Sequence, residues 1–240
     1  MVYKYRRCLV KISGAALASD NNNIYDKSKL LAITQQLVRL AREGIELAVV
    51  IGGGNIWRGV DADKIGIDSA ASDYMGMLAT IINALAMESL IKKLNYESVT
   101  VCSAVNVNKI AEPYYYKRVL RRLNQKFIVI MPAGLGQPLF TTDTAAVLRA
   151  VETKCDIILM AKDRIAGVYN SDPRINKRAK LISELNASEA IREKLRFMDW
   201  TASTLALSHK IDTLVFDISK PNSIYEVAHG RGQFSLVRGQ

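Results

Sequence analysis

Three successive glycines followed by an arginine, in the run Gly52-Gly53-Gly54-Asn55-Ile56-Trp57-Arg58-Gly59, come directly after an apolar stretch. A strand-to-helix turn stripped of Cβ atoms exposes consecutive backbone N–H groups as an anion nest, and a neighbouring arginine adds a fork of donors. The run is neither Gly-x-x-x-x-Gly-Lys-Ser/Thr nor Gly-x-Gly-x-x-Gly, so it is not a Walker or dinucleotide turn. In Val10-Lys11-Ile12-Ser13-Gly14 a lysine stands at the carboxyl end of another apolar run, the edge at which α/β sheets bind ligands. A second glycine turn, Gly134-Leu135-Gly136-Gln137-Pro138-Leu139-Phe140-Thr141-Thr142-Asp143, precedes an alanine-rich helix that Thr142 or Asp143 is suited to cap. Two carboxylates complete the set. Asp73 sits in Ser72-Asp73-Tyr74-Met75-Gly76-Met77, and Asp199 follows Phe197-Met198, an apolar setting in which a carboxylate needs a cationic partner such as a crevice lysine. Each feature has a plainer reading as a tight turn, a helix cap or a solvated surface acid. Their convergence on one sheet edge favours a crevice for two phosphate-bearing ligands.

Only two histidines, His209 and His229, are present, and neither lies in a glycine turn, so histidine nucleophiles and metal hydrolysis find no support. Phosphoryl transfer onto a phosphate needs no general base, because the acceptor is already an oxyanion near neutral pH.

The elements that must hold these residues alternate. Strand-length apolar runs cover 8–13, 46–51, 98–104, 127–131, 156–160 and 213–217, and helical periodicity covers 27–42, 68–93, 142–151, 199–209 and 223–228. The pattern predicts an α/β fold, a mainly parallel central sheet covered by helices on both faces. Residues 162–180 turn polar and basic and read as a long surface loop, with a soft lobe boundary near 160 inside a single domain of 240 residues. Apolar residues at 49% and charged ones at 23% describe an ordinary soluble globular chain. The formal charge of +10 is scattered, and its densest run, Lys117-Arg118-Val119-Leu120-Arg121-Arg122, fits the solvated face of a helix better than a nucleic-acid surface. Cys8, Cys102 and Cys155 read as buried thiols, and no stretch of 18 apolar residues occurs, so a cytoplasmic protein without membrane attachment is expected.

Over nearly all of its length the chain resembles the bacterial UMP kinases of the amino acid kinase superfamily. The resemblance is carried by 9–14, 49–59, 134–143, 167–173, 198–205 and above all Asp73-Tyr74-Met75-Gly76-Met77-Leu78-Ala79-Thr80. It implies a three-layer αβα sandwich, with an acceptor lobe over 1–160 and an ATP lobe over 161–240. It implies transfer of the γ-phosphoryl group of ATP to UMP in pyrimidine biosynthesis, with Lys11 at the transferred group, Arg58 beside it and Asp199 orienting the lysine. ATP would meet Lys11, Ile12, Ser13, Gly14, Gly54, Arg58, Asp163, Tyr169 and Asp172. UMP would meet Gly53, Asp73 and the loop Leu135, Gly136, Gln137, Pro138, Leu139, Phe140, Thr141 and Thr142. Magnesium would arrive with ATP, no residue being assigned to hold it, and a homohexamer is implied. This chain departs from the family pattern at Ala15, Ser69, Leu135, Gln137 and Ala166, where the family commonly has Glu, Arg, Thr, Asn and Asp. The family's response to GTP and UTP is not carried over. Kinases of carboxylate or carbamate acceptors, and a nucleotide-binding regulator without catalysis, are the competing readings.

Overall fold

The computed structural model describes residues 5–240 except Asp20, Asn22, Arg174 and Arg196, and the side chain of Asp63 is likewise left out. Its centre is a sheet of nine strands in the order β4-β3-β5-β2-β1-β6-β10-β11-β9. These are β1 (Arg7–Ile12), β2 (Glu46–Ile51), β3 (Val99–Ser103), β4 (Glu112–Pro113), β5 (Ile128–Ile130), β6 (Ile157–Lys162), β9 (Glu184–Asn186), β10 (Thr213–Asp217) and β11 (Ser235–Arg238). All neighbours run parallel except β10 and β11. Every residue of β1 and β2 is buried, as strands covered on both faces must be.

Side-chain alternation sorts the core into two layers. Cys8, Val10 and Ile12 pack with α1 (Lys27–Arg42), α3 (Ser69–Lys93) and α8 (Ser223–Ala228) on one face. Leu9 packs on the other face with α4 (Tyr116–Asn124), α5 (Thr142–Glu152), α6 (Ala187–Arg192) and α7 (Trp200–Ser208). Period 2 therefore sends Lys11 to the side of Leu9, toward α5. A short helix, α2 (Gly59–Lys64), completes the set.

Sequence signals fix the helix starts. Asp26 accepts from the N–H groups of Ser28 and Lys29 and so caps α1, Asp68 caps α3 through Ala71, and Asp199 caps α7 through Ala202. Thr141 caps α5, one residue before Thr142 and two before Asp143, the expected caps, which frees Asp143 to point into the crevice. α3 is long and apolar enough to cross a membrane by length and composition, yet it buries Met77, Ile81, Ala84, Met87 and Ile91 in the core. Its other side exposes Tyr74, Leu78 and Ile82.

One expectation changes. The stretch 162–180 is not structureless, because β7 (Val168–Tyr169) pairs antiparallel with β8 (Leu181–Ile182) as a hairpin. The soft lobe boundary near 160 lies in β6, which hydrogen-bonds to both β1 and β10 within one continuous sheet.

Candidate active site

β2 lies on one side of β1 and β6 on the other, so successive connections diverge at the carboxyl ends of β1 and β6, where open α/β sheets place ligands. Lys11 stands there, 6% exposed. Its Nζ lies 2.5 Å from Asp143 Oδ1, and Lys162 Nζ lies 3.0 Å from Asp143 Oδ2. One carboxylate from the first turn of α5 thus bridges two ammonium groups from adjacent strands. Burial alone would raise the Asp143 carboxyl, but the charges and hydrogen bonds of Lys11 and Lys162 override it and hold it at about 2. Burial also lowers the Lys162 ammonium, aided by the charge of Lys11 and opposed by Asp143 and Asp199.

The carboxylate beside Lys11 is therefore that of Asp143, where Asp199 was expected. Asp199 is spent on hydroxyls: it accepts from Thr141 Oγ1 and from Thr144 Oγ1 (3.1 Å) while capping α7. It ties α7 to the start of α5, and so to the element that carries Asp143.

The two glycine turns of β1 and β2 fit into each other. A Cβ on Gly14 would sit 2.6 Å from both the Gly52 carbonyl oxygen and the Gly54 nitrogen, so no larger residue is accommodated. A Cβ on Gly53 would meet the Gly76 carbonyl of α3 at 2.8 Å. The N–H groups of Gly53 and Gly54 are paired with no protein acceptor among the described residues. Exposed Arg58 folds back over this turn, Nε donating to the Gly54 carbonyl at 2.9 Å.

Beside the turn lies a hollow of about 150 Å³ lined by Gly53, Gly54, Trp57, Asp73, Leu135, Phe140 and Thr142, among others. Asp73 reaches across it, accepting from the Leu139 N–H at 2.7 Å. Leu139 is 78% exposed with φ +69°, a left-handed conformation costly for leucine, held at least in part by this bond. Of the other loop positions expected at the acceptor, Gly136 packs against Ala104, Thr141 engages Asp199, and Gln137 is exposed. A second hollow, about 610 Å³, opens on the α7 side between Asp143, Lys162, Phe197, Met198 and Asp199.

Not every expected nucleotide contact joins these spaces. The Ile12 side chain is fully buried in the α1 layer, and only its carbonyl serves the site, accepting from Gly52 N–H at 2.9 Å. Ser13 stands at the start of the short helical turn Gly14–Leu17. Asp163 lines a separate hollow of about 460 Å³ against α1, away from both glycine turns. Tyr169 and Asp172 lie on and just after β7, outside all three spaces. Sequence reasoning missed Asp143, Lys162 and Thr144 as a unit. The sequence carries only its parts, a lysine ending β6, a lysine in β1 and an acid in the first turn of α5; the order of strands in the sheet brings them together.

Residues 6–217 match the model of the amino acid kinase family. The chain belongs to the amino acid kinase family. Within that family it is similar to proteins named uridylate kinase from Mesoplasma florum, 44% identical over 99% of both chains, and from Streptococcus thermophilus, 44% identical over 95% of this chain and 92% of the relative. Among solved structures, the UMP kinase of Ureaplasma parvum superposes with a TM-score of 0.93 at 36% identity, covering 98% of this chain and 99% of that one. The UMP kinase of Bacillus anthracis gives 0.94 at 36% identity, over 98% and 97%. The three-layer amino acid kinase fold expected from the sequence is thus the one observed.

Proposed function

We propose that this amino acid kinase is a UMP kinase, moving the γ-phosphoryl group of ATP onto the phosphate of UMP to give ADP and UDP, a step toward CTP. The observation that carries the reading is the meeting of Lys11, Asp143 and Lys162 beside two ligand hollows and two glycine turns, in a chain 44% identical over 99% of its length to a uridylate kinase.

The geometry supports a mechanism of positioning and charge neutralisation. UMP lies in the hollow with Asp73 on its ribose hydroxyls and its phosphate toward Thr142 and the Gly53 N–H. The nucleotide donor lies on the α7 side, its phosphates reaching Gly14, Gly54 and Arg58. Lys11 faces the group in flight, held by Asp143, and Lys162 adds a second positive charge. Preorganised donors of this kind act where charge is spread over phosphoryl oxygens and need no reorganisation during transfer. Acid–base chemistry is not required of the protein.

Magnesium is taken to arrive with ATP, and Asp143 and Asp199 are engaged by lysines and hydroxyls. Bound with the nucleotide, the ion would neutralise β- and γ-phosphate oxygens.

We also propose a homo-oligomer of the hexameric kind, acting in the cytoplasm. Tyr74, Leu78 and Ile82, at i, i+4 and i+8 of α3, form one exposed apolar stripe, more than a solvated helix face needs. Native mass spectrometry tests the assembly. A coupled ADP-release assay across UMP, CMP, dUMP, acetylglutamate, aspartate and carbamate tests the activity: turnover with UMP is expected, and none with UMP would sink the reading.

A further inference from the structure

We propose that Asn83, in the middle of α3, is a positioning residue that aims the Gly53 N–H into the transfer crevice. Asn83 is completely buried, on a helix face that it shares with Thr80 and that is otherwise mostly Ala, Met and Ile. Its Nδ2 donates to the Gly52 carbonyl oxygen at 2.8 Å and to Asn55 Oδ1 at 2.8 Å. Its Oδ1 accepts from Asn55 Nδ2 at 3.0 Å and from the Tyr25 hydroxyl at 2.9 Å. The amide thus uses both donors and both acceptor sites. A residue present only for packing would be apolar here, since a buried amide is tolerated only when paired.

What the pairing holds is a peptide plane. The Gly52 N–H donates to the Ile12 carbonyl of β1 at 2.9 Å, and the Gly52 oxygen is pinned by Asn83. In a planar trans peptide the N–H points opposite to the C=O, so pinning the Gly52 oxygen fixes the direction of the Gly53 N–H. That N–H has no protein acceptor among the described residues, and Gly53 lines the hollow with Asp73 and Thr142. One helical turn before Asn83, Thr80 Oγ1 accepts from the Ala133 N–H at 2.6 Å, at the entry to the other glycine turn. Residues three apart share a helix face. A single rigid face of α3 therefore sets the spacing between the two phosphate turns, Asn83 holding one and Thr80 the other.

The inference rests on the UMP kinase reading, and the parent enzyme is run in the same kinetic series with ATP and UMP. Asn83→Ala removes the carbonyl donor, and Asn83→Asp, nearly the same size, sets a carboxylate against the Gly52 oxygen. Tyr25→Phe is the control, because it deletes one bond to the same amide and leaves the Gly52 bond in place. Both Asn83 variants are expected to lose about 10- to 100-fold in kcat. Their KM for ATP should stay within about threefold while KM for UMP rises, because the Gly53 N–H meets the UMP phosphate in the bound state as well as during transfer. Tyr25→Phe should keep kcat within about threefold even where its Tm falls. If Asn83→Ala does not fold, Asn83→Asp carries the test. An Asn83 variant with parental kcat, or a Tyr25→Phe whose kcat falls alongside the Asn83 variants in step with Tm, overturns the inference alone. No turnover by the parent overturns the reading and the inference together.

Discussion

Replacing Asp143 by asparagine removes the one negative charge between Lys11 and Lys162 while keeping the shape of the side chain. The cost can be worked from the site. In the folded protein the carboxyl titrates at about 2, against the usual 3.8, although burial opposes that shift. A difference of that size corresponds to roughly 2 kcal/mol of stabilisation. Leaving two buried ammonium groups without a counter-charge costs more, about 3–5 kcal/mol when one partner of a buried pair is deleted, unless a lysine sheds its proton. The loss is greatest at neutral pH. A carboxyl with a depressed folded pKa contributes its full stability above about pH 4 and loses it as pH falls through about 2, so the Tm difference between parent and Asp143→Asn should shrink across that acid window. Activity follows the lysine. With Lys11 released from its anchor, kcat should fall about 10²- to 10³-fold in the coupled assay, the scale of losing one preorganised charge stabiliser. Residual activity should rise as pH is lowered, because the Lys162 ammonium, already lowered by burial and by the charge of Lys11, loses the opposing pull of Asp143. A variant with kcat within about threefold of the parent, and no change in pH profile, would refute the assignment of Asp143 as the anchor.

Lys11→Ala should abolish turnover in the same assay while calorimetry still detects UMP, because Asp73 and the acceptor hollow stay intact. Gly14→Ala places a methyl 2.6 Å from the Gly52 oxygen and the Gly54 nitrogen, so the donor turn must open; kcat/KM for ATP should drop at least about 100-fold. Asp73→Asn is expected to raise KM for UMP by about tenfold, and by weakening the bond to the Leu139 N–H to speed proteolytic cleavage of the exposed Leu139 loop. Cys8 and Cys102 are buried as expected while Cys155 is only half-buried, and desolvation raises the Cys102 and Cys155 thiols to about 12 and the Cys8 thiol upward as well, so a thiol reagent at pH 7.5 should leave Cys8 and Cys102 unlabelled until the chain unfolds and react with Cys155 only slowly.

The glycine turns and the strand-end lysine were legible in the sequence, but not which side chains meet each other. The strands β1 and β2, the helices α1 and α3 and the three interlocked glycines could all be read from periodicity and from the absence of Cβ atoms, since these are local properties of the chain. Pairing is not local. Lys11 and Lys162 become neighbours only because β1 and β6 lie side by side, a matter of sheet order that no spacing between residues 11 and 162 encodes. Asp143 was passed over for a related reason: Thr141 was not recognised as the cap, so Asp143 was considered for a role that a threonine two residues earlier fills. Once the cap moves to Thr141, the first turn of α5 points its acid at β1, and the role expected of Asp199 divides in two. Asp143 holds the lysine, and Asp199 holds the helix that presents Asp143, through the hydroxyls of Thr141 and Thr144. The division explains why two aspartates 56 positions apart converge on one site. A buried lysine pair needs a negative partner at close range, and the first turn of α5 supplies it in Asp143 while Asp199 fixes the start of that helix.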